Sequence, residues 1–579
     1  MKRNFTTKLI IFILSMASVS SFSQTSKFTD VDFIPPVDIP LLLSGTFGEL
    51  RSNHFHSGID IKTQGVEGKK ILAIADGWIS RIKISEGGYG KAIYITHSNG
   101  YVSVYGHLQK FNNTIQEIVK TKQYEKESYT IQIFPDKDEY KVKKGDIIAY
   151  SGNTGGSHGP HLHFEIREEK SQFPVNPLLN KNIKIKDFYR PSISKLVIYP
   201  VDNSSTINGK HDTLFLEIAG WGLEHRIKEA QNITVSGRIS FGIGTIDRMN
   251  DVSNKNGVFS TKLYYDSSLV FSLNMNMLSF NTTRYINSLI DYSYFVKSKK
   301  RIIRTEIDTN NLFNNYNTIV NNGLINFTDT TVHYLSYEVE DAYGNISKLN
   351  FKVKSDSLKT ISSMLKSAYQ TDEFFPFTKM NSIKTDSLIV TFPSNSFYRS
   401  FYFDYEIISK DSNSYSSIYK LHNRFTPVHK YFRLKLMPVK TATELENKIY
   451  ISYSPDNTKY YFMGAKKEGK YITCRSRLLG YYKIMTDTIP PKIREVNFYN
   501  GKKLVKQRTL KIKINDKQTG IDSYRATLND EWILMEYDAK KNLLIYNFDD
   551  RIKKGSNNFS LVITDLLDNI SEYNCVLVY

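Results

Sequence analysis

Residues 151–167 read SGNTGGSHGPHLHFEIR, and this stretch divides into two halves. Gly152, Gly155, Gly156 and Gly159 make a loop closed by Pro160; an alternating run, His161-Leu162-His163-Phe164-Glu165-Ile166, follows. Successive side chains of an extended strand point to opposite faces, so His161 and His163 share one face while Leu162, Phe164 and Ile166 share the other. Two imidazoles about 7 Å apart on a rigid strand suit a metal ligand and a neighbour working beside the metal. An isolated H-x-H is more often two solvent-facing histidines on an edge strand, so the rest of the chain has to decide.

Upstream, HFHSGIDI (54–61) places His56 and Asp60 four residues apart around Gly58, on one side if the segment is extended. An imidazole nitrogen and a carboxylate oxygen are both acceptable zinc ligands. His54 lies on the same face and reads as a flanking residue, since one imidazole from this segment is enough. Residues 71–108 alternate in strand fashion. The turn Ser98-Asn99-Gly100 between KAIYITH and YVSVYGHL is a strong hairpin signal. The returning strand delivers His107; His97, just before the turn, reads as structural. Seven of the twelve histidines fall between His54 and His163, which favours a site over scattered surface residues.

Two tempting motifs fail on context. Gly155-Gly156-Ser157-His158-Gly159 matches G-x-S-x-G, but that nucleophile elbow needs a helix after it, and here Pro160 and a strand pattern follow. No Gly-Lys-Ser/Thr follows the glycines, so they are not a phosphate loop, and EGGYG (86–90) reads as a turn rather than a dinucleotide fingerprint.

Taken together, H-S-G-I-D at 56–60, Y-G-H-L at 105–108 and SGNTGG…GPHLHFEI resemble the lysostaphin/LytM-type zinc endopeptidases, which cut peptide cross-links of bacterial cell walls. The resemblance covers about residues 42–178. It implies a compact antiparallel β domain (a duplicated hybrid motif) with a groove over the sheet and one Zn2+. It also implies His56, Asp60 and His163 as metal ligands and His107 and His161 as catalytic histidines, without settling which of the two is the base. With no H-E-x-x-H glutamate present, histidine has that task. Some relatives have lost ligands and activate other wall hydrolases; this chain keeps all five residues. The insertion and tail resemble exported forms of the Bacteroidetes type, which would imply cleavage of D-alanine–diaminopimelate bonds rather than glycine bridges.

The remaining text frames that domain. At 579 residues the chain needs several cores, and aromatics at 13% favour strands. Residues 1–23 read as a secretory signal: Lys2, Arg3 and Lys8, then an apolar run too short to span a bilayer, then Ser21-Phe22-Ser23. Removing it takes the formal charge from +19 to +16, because Lys2, Arg3 and Lys8 leave with it. A basic exported protein is suited to carboxylate-rich wall material, though charge alone does not exclude nucleic acid or anionic lipid. The resemblance implies peptidoglycan stem peptides as partner, with no nucleic acid and no membrane span expected; the oligomeric state is left open. The expected address is the periplasm or cell exterior.

The domain reading is a signal at 1–23, the peptidase domain at 24–185 with an insertion at 109–140, a β-sandwich module at 186–355, a β-rich module at 356–488, and a C-terminal Ig-like sandwich at 489–579. Within the insertion Ile115, Ile118 and Val119 recur at helical spacing. Beyond 186 a weak repeat appears: Asp341-Ala-Tyr-Gly-Asn345-Ile-Ser347 against Asp565-Leu-Leu-Asp-Asn569-Ile-Ser571, with Pro191 and Pro491 opening the two copies. Cys474 and Cys575 are the only cysteines, and whether they pair is not legible. The expected class is therefore mainly β. A zinc wall endopeptidase leads; the alternatives are a non-catalytic wall-binding or hydrolase-activating protein on the same scaffold, and an adhesin whose β modules carry the function.

Overall fold

A computed structural model describes residues 28–229, 231–356, 373–439 and 445–579. The signal segment 1–23 lies outside the described residues. The chain is mainly β, with 47% strand and 7% helix. It divides into two compact units. One takes the chain up to Ile118 with Gln132–Thr283 and the stretch from Phe313; the other takes Val119–Ile131, Arg284–Leu312 and the chain from 373 on.

The site of interest lies in the first unit. Its sheet contains, in chain order, β1 (Leu43–Gly45), β2 (Ile59–Lys62), β3 (Gly77–Ile84), β4 (Lys91–His97) and β5 (Tyr101–Gly106), then, after helix α1 (Asn113–Glu125), β6 (His161–Glu168). Side by side these strands run β1-β2-β6-β5-β4-β3, all antiparallel. The sequence alternation explains why β6 is central. Leu162, Phe164 and Ile166 are completely buried on its apolar face, with Ile59, Ile61 and Val104 among the other fully buried residues of the neighbouring strands. Burying such a side chain contributes about 1.5–3 kcal/mol, which fixes the face and hence the direction of the two histidines.

The rest of the first unit is a β module beginning with β7 (Ser192–Pro200), which pairs with β8 (Thr234–Ile246), and ending with the pair β9 (Val332–Glu340) and β10 (Ile346–Ser355). It packs on the six-strand arrangement β1-β2-β6-β5-β4-β3 through backbone and side chains. Phe55 stacks on Phe313 at 4.5 Å between centroids, and the Asn176 amide donates to the Met275 carbonyl at 3.1 Å.

The second unit holds two five-stranded sheets sharing a core that includes Phe392, Leu434, Tyr482 and Cys474. Two four-stranded sheets follow, around a core with Leu510, Tyr546, Leu561 and Cys575. The two cysteines are unpaired, each buried in its own core. The last sheets begin with β11 (Lys492–Glu495) against β12 (Thr509–Asn515) and end with β13 (Ser556–Asp565) against β14 (Ile570–Val578).

The repeat seen in sequence is also a repeat of hydrogen bonds. Asp341 Oδ1 accepts from the Tyr343 and Asn345 amides at 2.8 and 2.9 Å, and Asp565 Oδ1 accepts from Leu567 and Asn569 at the same distances. Ser347 and Ser571 each donate to the carbonyl of the opening proline, Pro191 or Pro491, at 2.5 Å. One side-chain code closes the final hairpin in both modules.

Candidate metal centre

Register delivers the site. In β6, His163 lies directly opposite Asp60 of β2 on one side and Gly106 of β5 on the other, so the residue after Gly106, His107, arrives beside it. His56 precedes β2 in a short connection rather than within a strand, and it is buried. The three donor atoms form a tight triangle. His56 Nε2 is 3.1 Å from Asp60 Oδ1 and 3.1 Å from His163 Nδ1, and His163 Nδ1 is 2.9 Å from Asp60 Oδ1. Ligands on one tetrahedral zinc, with bonds near 2.0–2.1 Å, sit about 3.3 Å apart, close to this triangle.

The far side of each imidazole fixes its tautomer. His56 Nδ1 donates to the Thr46 carbonyl at 2.8 Å, leaving Nε2 with its lone pair facing the triangle. His163 is turned the other way: Nε2 donates to Glu165 Oε1 at 2.8 Å and Nδ1 faces inward. Glu165 is itself held by Ser57 Oγ at 2.5 Å, by the Tyr89 hydroxyl and by Arg167 Nη2 at 2.5 Å. Tyr89 also stacks on the His163 ring, with centroids 4.8 Å apart. Two donors from imidazoles and one from a carboxylate, with a coordination position left over, fit a catalytic zinc.

His107 and His161 flank this triangle. Their ring centroids are 4.8 Å apart, and His107 is 5.9 Å from His163. His107 Nδ1 donates to the Thr154 carbonyl and His161 Nδ1 to the Gly159 carbonyl, both at 2.8 Å, so Nδ1 is engaged in each ring and Nε2 is left for other partners. His161 Nε2 lies 3.5 Å from Asp60 Oδ1. His107 adopts φ +60°, a left-handed backbone costly for a residue with a Cβ and often found where surrounding structure holds a functional group in place.

The glycines explain the hold. At Gly155, φ is +69° and a Cβ would come within 2.3 Å of the Gly90 amide nitrogen. The glycine-rich loop thus lies backbone-on-backbone against the 86–90 turn, whose Tyr89 carbonyl accepts the His107 amide at 2.8 Å. Both sides of His107 are pinned by this contact.

Charge is arranged around the triangle. Burial disfavours ionised Asp60, but His56 and the hydrogen bonds from His161 and His163 hold its carboxyl well below the usual range. Burial likewise opposes a charge on His163, yet its hydrogen bonds to Asp60 and Glu165 push the imidazole up to about 9. A positive charge between Asp60 and His163 is therefore favoured, while burial lowers His56 and disfavours its protonation. Burial and the neighbouring imidazoles bring His107 down to about 3, so it stays neutral near pH 7. Glu165, despite burial, is lowered to about 2, chiefly by Arg167 and His163.

A cleft of about 780 Å3 opens on this site. Asp60, His107 and His161 line it together with Arg51, Lys62 and Asn254, the last from the β module. All five residues singled out in the sequence are thus brought together. His54 is exposed and turned to the Ser52 carbonyl; His97 is buried, bonded to the Asp76 carbonyl and to Ser103 Oγ. Ser157 donates to the Gly159 carbonyl at 2.8 Å and stands 3.1 Å from His161 Nδ1, so it braces His161. Arg51, Glu165, Arg167 and Thr154 had no assigned part. Only Glu165, next in the alternation after His161 and His163, carried a sequence signal.

The family model described as Peptidase family M23 matches residues 54–124 and 132–177, and a Zu5-like domain model matches 372–487. The DD-carboxypeptidase/endopeptidase Mpg of Neisseria meningitidis is 34% identical over 129 residues, 22% of this chain and 23% of that protein. The murein hydrolase activator NlpD of Escherichia coli is 36% identical over 133 residues, 23% of this chain and 27% of that protein. The chain therefore spans about a quarter of the length of these curated relatives. Among solved structures, the catalytic domain of lysostaphin from Staphylococcus simulans is 25% identical, with 24% of this chain and 90% of that one covered and a TM-score of 0.18. Residues 54–124 and 132–177 of this mainly β chain make up a LytM-type domain of peptidase family M23.

Proposed function

We propose that the chain is a zinc-dependent endopeptidase that hydrolyses peptide cross-links of peptidoglycan, in an exported setting. The observation that carries this reading is the triangle of His56 Nε2, Asp60 Oδ1 and His163 Nδ1, with two further imidazoles beside it on the wall of a cleft.

Zinc, when bound there, supplies a Lewis acid for the scissile carbonyl and lowers the pKa of water to about 7. The chain's own residues do the rest. Asp60 gives the site one negative charge and His56 and His163 hold it from two sides, each locked in its tautomer by an outward hydrogen bond. His107, kept neutral, accepts a proton at Nε2. His161, at the other side of the cleft, hydrogen-bonds the oxygen that gathers charge when its Nε2 carries a proton. Lys62 on the cleft wall suits a carboxylate of the stem peptides, which supports D-alanine–diaminopimelate bonds as the substrate.

The relative named an activator raises the non-catalytic alternative. A zymogram on purified peptidoglycan separates the two: the endopeptidase reading expects clearing that a chelator abolishes and zinc restores, whereas an activator clears nothing alone.

A further inference from the structure

A second cluster of ligating side chains lies outside the peptidase site. Asp187, Asp247 and Asp341 are all buried, and each has a carboxylate oxygen within 4.8 Å of the others. Sequence places them far apart; the fold gathers them where β7 begins, where β8 ends and where the turn before β10 starts. Three carboxylates gathered out of water repel one another, and none has a cationic partner among the described residues' ion pairs.

What distinguishes the cluster from an ordinary acidic turn is unfilled hydrogen-bonding capacity. Asp247 is 1% exposed, and its Oδ1 has no partner among the described residues; Oδ2 of Asp187, itself 6% exposed, has none either. Asn256, which pairs with Asp247 across an isolated bridge, is buried with both amide atoms unpartnered as well. A buried acceptor left without a partner is costly, more so when charged, and three such oxygens on paired or neighbouring residues need a reason. Burial, then repulsion from Asp187 and Asp341, pushes the Asp247 carboxyl up to about 9, and burial with Asp341 beside it takes Asp187 to about 7.

The repeat supplies an internal comparison. Asp487, Asp516 and Asp565 occupy the same places in the C-terminal module. There, however, Thr519 Oγ1 donates to Asp487 Oδ2 at 2.9 Å, and three backbone amides donate to Asp516 Oδ1. The copy that lacks these donors is the one with orphaned oxygens.

The geometry points to a binding site for a hard divalent cation, calcium by its chemistry, held by Asp187, Asp247 and Asp341. All the donors are oxygens, which suits calcium and not zinc. Two oxygens bound to one calcium at about 2.4 Å lie no more than about 4.8 Å apart, and one oxygen of each aspartate lies within that limit of the others. The cation has a place in the architecture, too. The backbone pair between Asp247 and Asn256 closes a loop whose Asn250 Oδ1 accepts the Phe188 amide at 2.8 Å. The same loop carries Asn254, which lines the peptidase cleft. A cation at the three aspartates ties this loop to the start of the module.

Calorimetric titration of CaCl2 into the full chain, stripped of metals and reloaded with one equivalent of zinc, tests the site. One calcium per chain is expected, with a rise of several degrees in melting temperature. Asp247→Asn should lose both, while melting close to wild type without calcium, because the metal-free carboxyl is already protonated and the amide has nearly its size. Asp516→Asn should bind calcium as wild type does. Absence of calcium binding by wild type, undiminished binding by Asp247→Asn, or loss of binding in Asp516→Asn instead would overturn the proposal.

Discussion

Asp60 divides its carboxylate between two tasks: Oδ1 faces His56, His161 and His163, while Oδ2 is 2.5 Å from Arg51 Nη2. Gly45, paired with Asp60 across the strands, makes room for this, since a Cβ there would meet Arg51 Nη2 at 2.6 Å and Asp60 Oδ2 at 2.7 Å. Occupying Oδ2 leaves one oxygen for a metal. Arg51→Ala should therefore weaken zinc binding by about tenfold, the usual scale for losing a group that orients a ligand. Competition against a chromophoric chelator measures it.

The two histidines of β6 should separate cleanly. His163→Ala is expected to abolish tight zinc binding. His161→Ala should keep one zinc per chain and lose turnover by about 10²-fold or more. Metal analysis beside a muropeptide-release assay reads both; equal zinc loss in the two variants would contradict the assignment.

Glu165 supports His163 from behind and neutralises buried Arg167. Glu165→Gln should lower zinc affinity about 10–100-fold. It should also destabilise the fold by about 3–5 kcal/mol, because a buried guanidinium loses its partner. Chemical denaturation in the presence and absence of zinc distinguishes the two effects.

Zinc affinity should depend on pH above neutrality. Because the folded pKa of His163 is raised from 6.5 to about 9, its proton stabilises the metal-free protein fully below 6.5, and that contribution fades as pH rises through 9. Zinc must displace this proton, so its affinity should climb about tenfold per pH unit between roughly 7 and 9. A flat profile in calorimetry over that range would contradict the account.

Gly155→Ala tests the loop contact. A methyl group at φ +69° and 2.3 Å from the Gly90 nitrogen forces the two loops apart. Thr154 then moves off His107 Nδ1. Melting temperature and turnover should both fall, with zinc content retained, since none of the three donors sits on that loop.

The peptidase-like domain was readable because its signals are local. Alternation in HLHFEI fixes a strand with two imidazoles on one face, and three short motifs in order mark the candidate ligands. The supporting groups were not readable because they depend on register. Nothing in the sequence says that Gly45 borders Asp60, that Thr154 reaches His107, or that Arg167 bonds Glu165 from the same strand. The D-x-x-x-N turns announced the repeat, yet the third aspartate of each cluster stays hidden, since Asp247 and Asp516 reach their partners only through strand pairing. His56 and Asp60 converge without the continuous extended segment that their spacing implied.

Mass spectrometry of the muropeptides released from cross-linked peptidoglycan by the full chain tests the central claim most directly. Zinc-loaded wild type should convert cross-linked dimers into monomers, a chelator should stop it, and His161→Ala with zinc bound should release none. Equal release by His161→Ala, or no conversion by zinc-loaded wild type, would contradict a hydrolytic site at His56, Asp60 and His163.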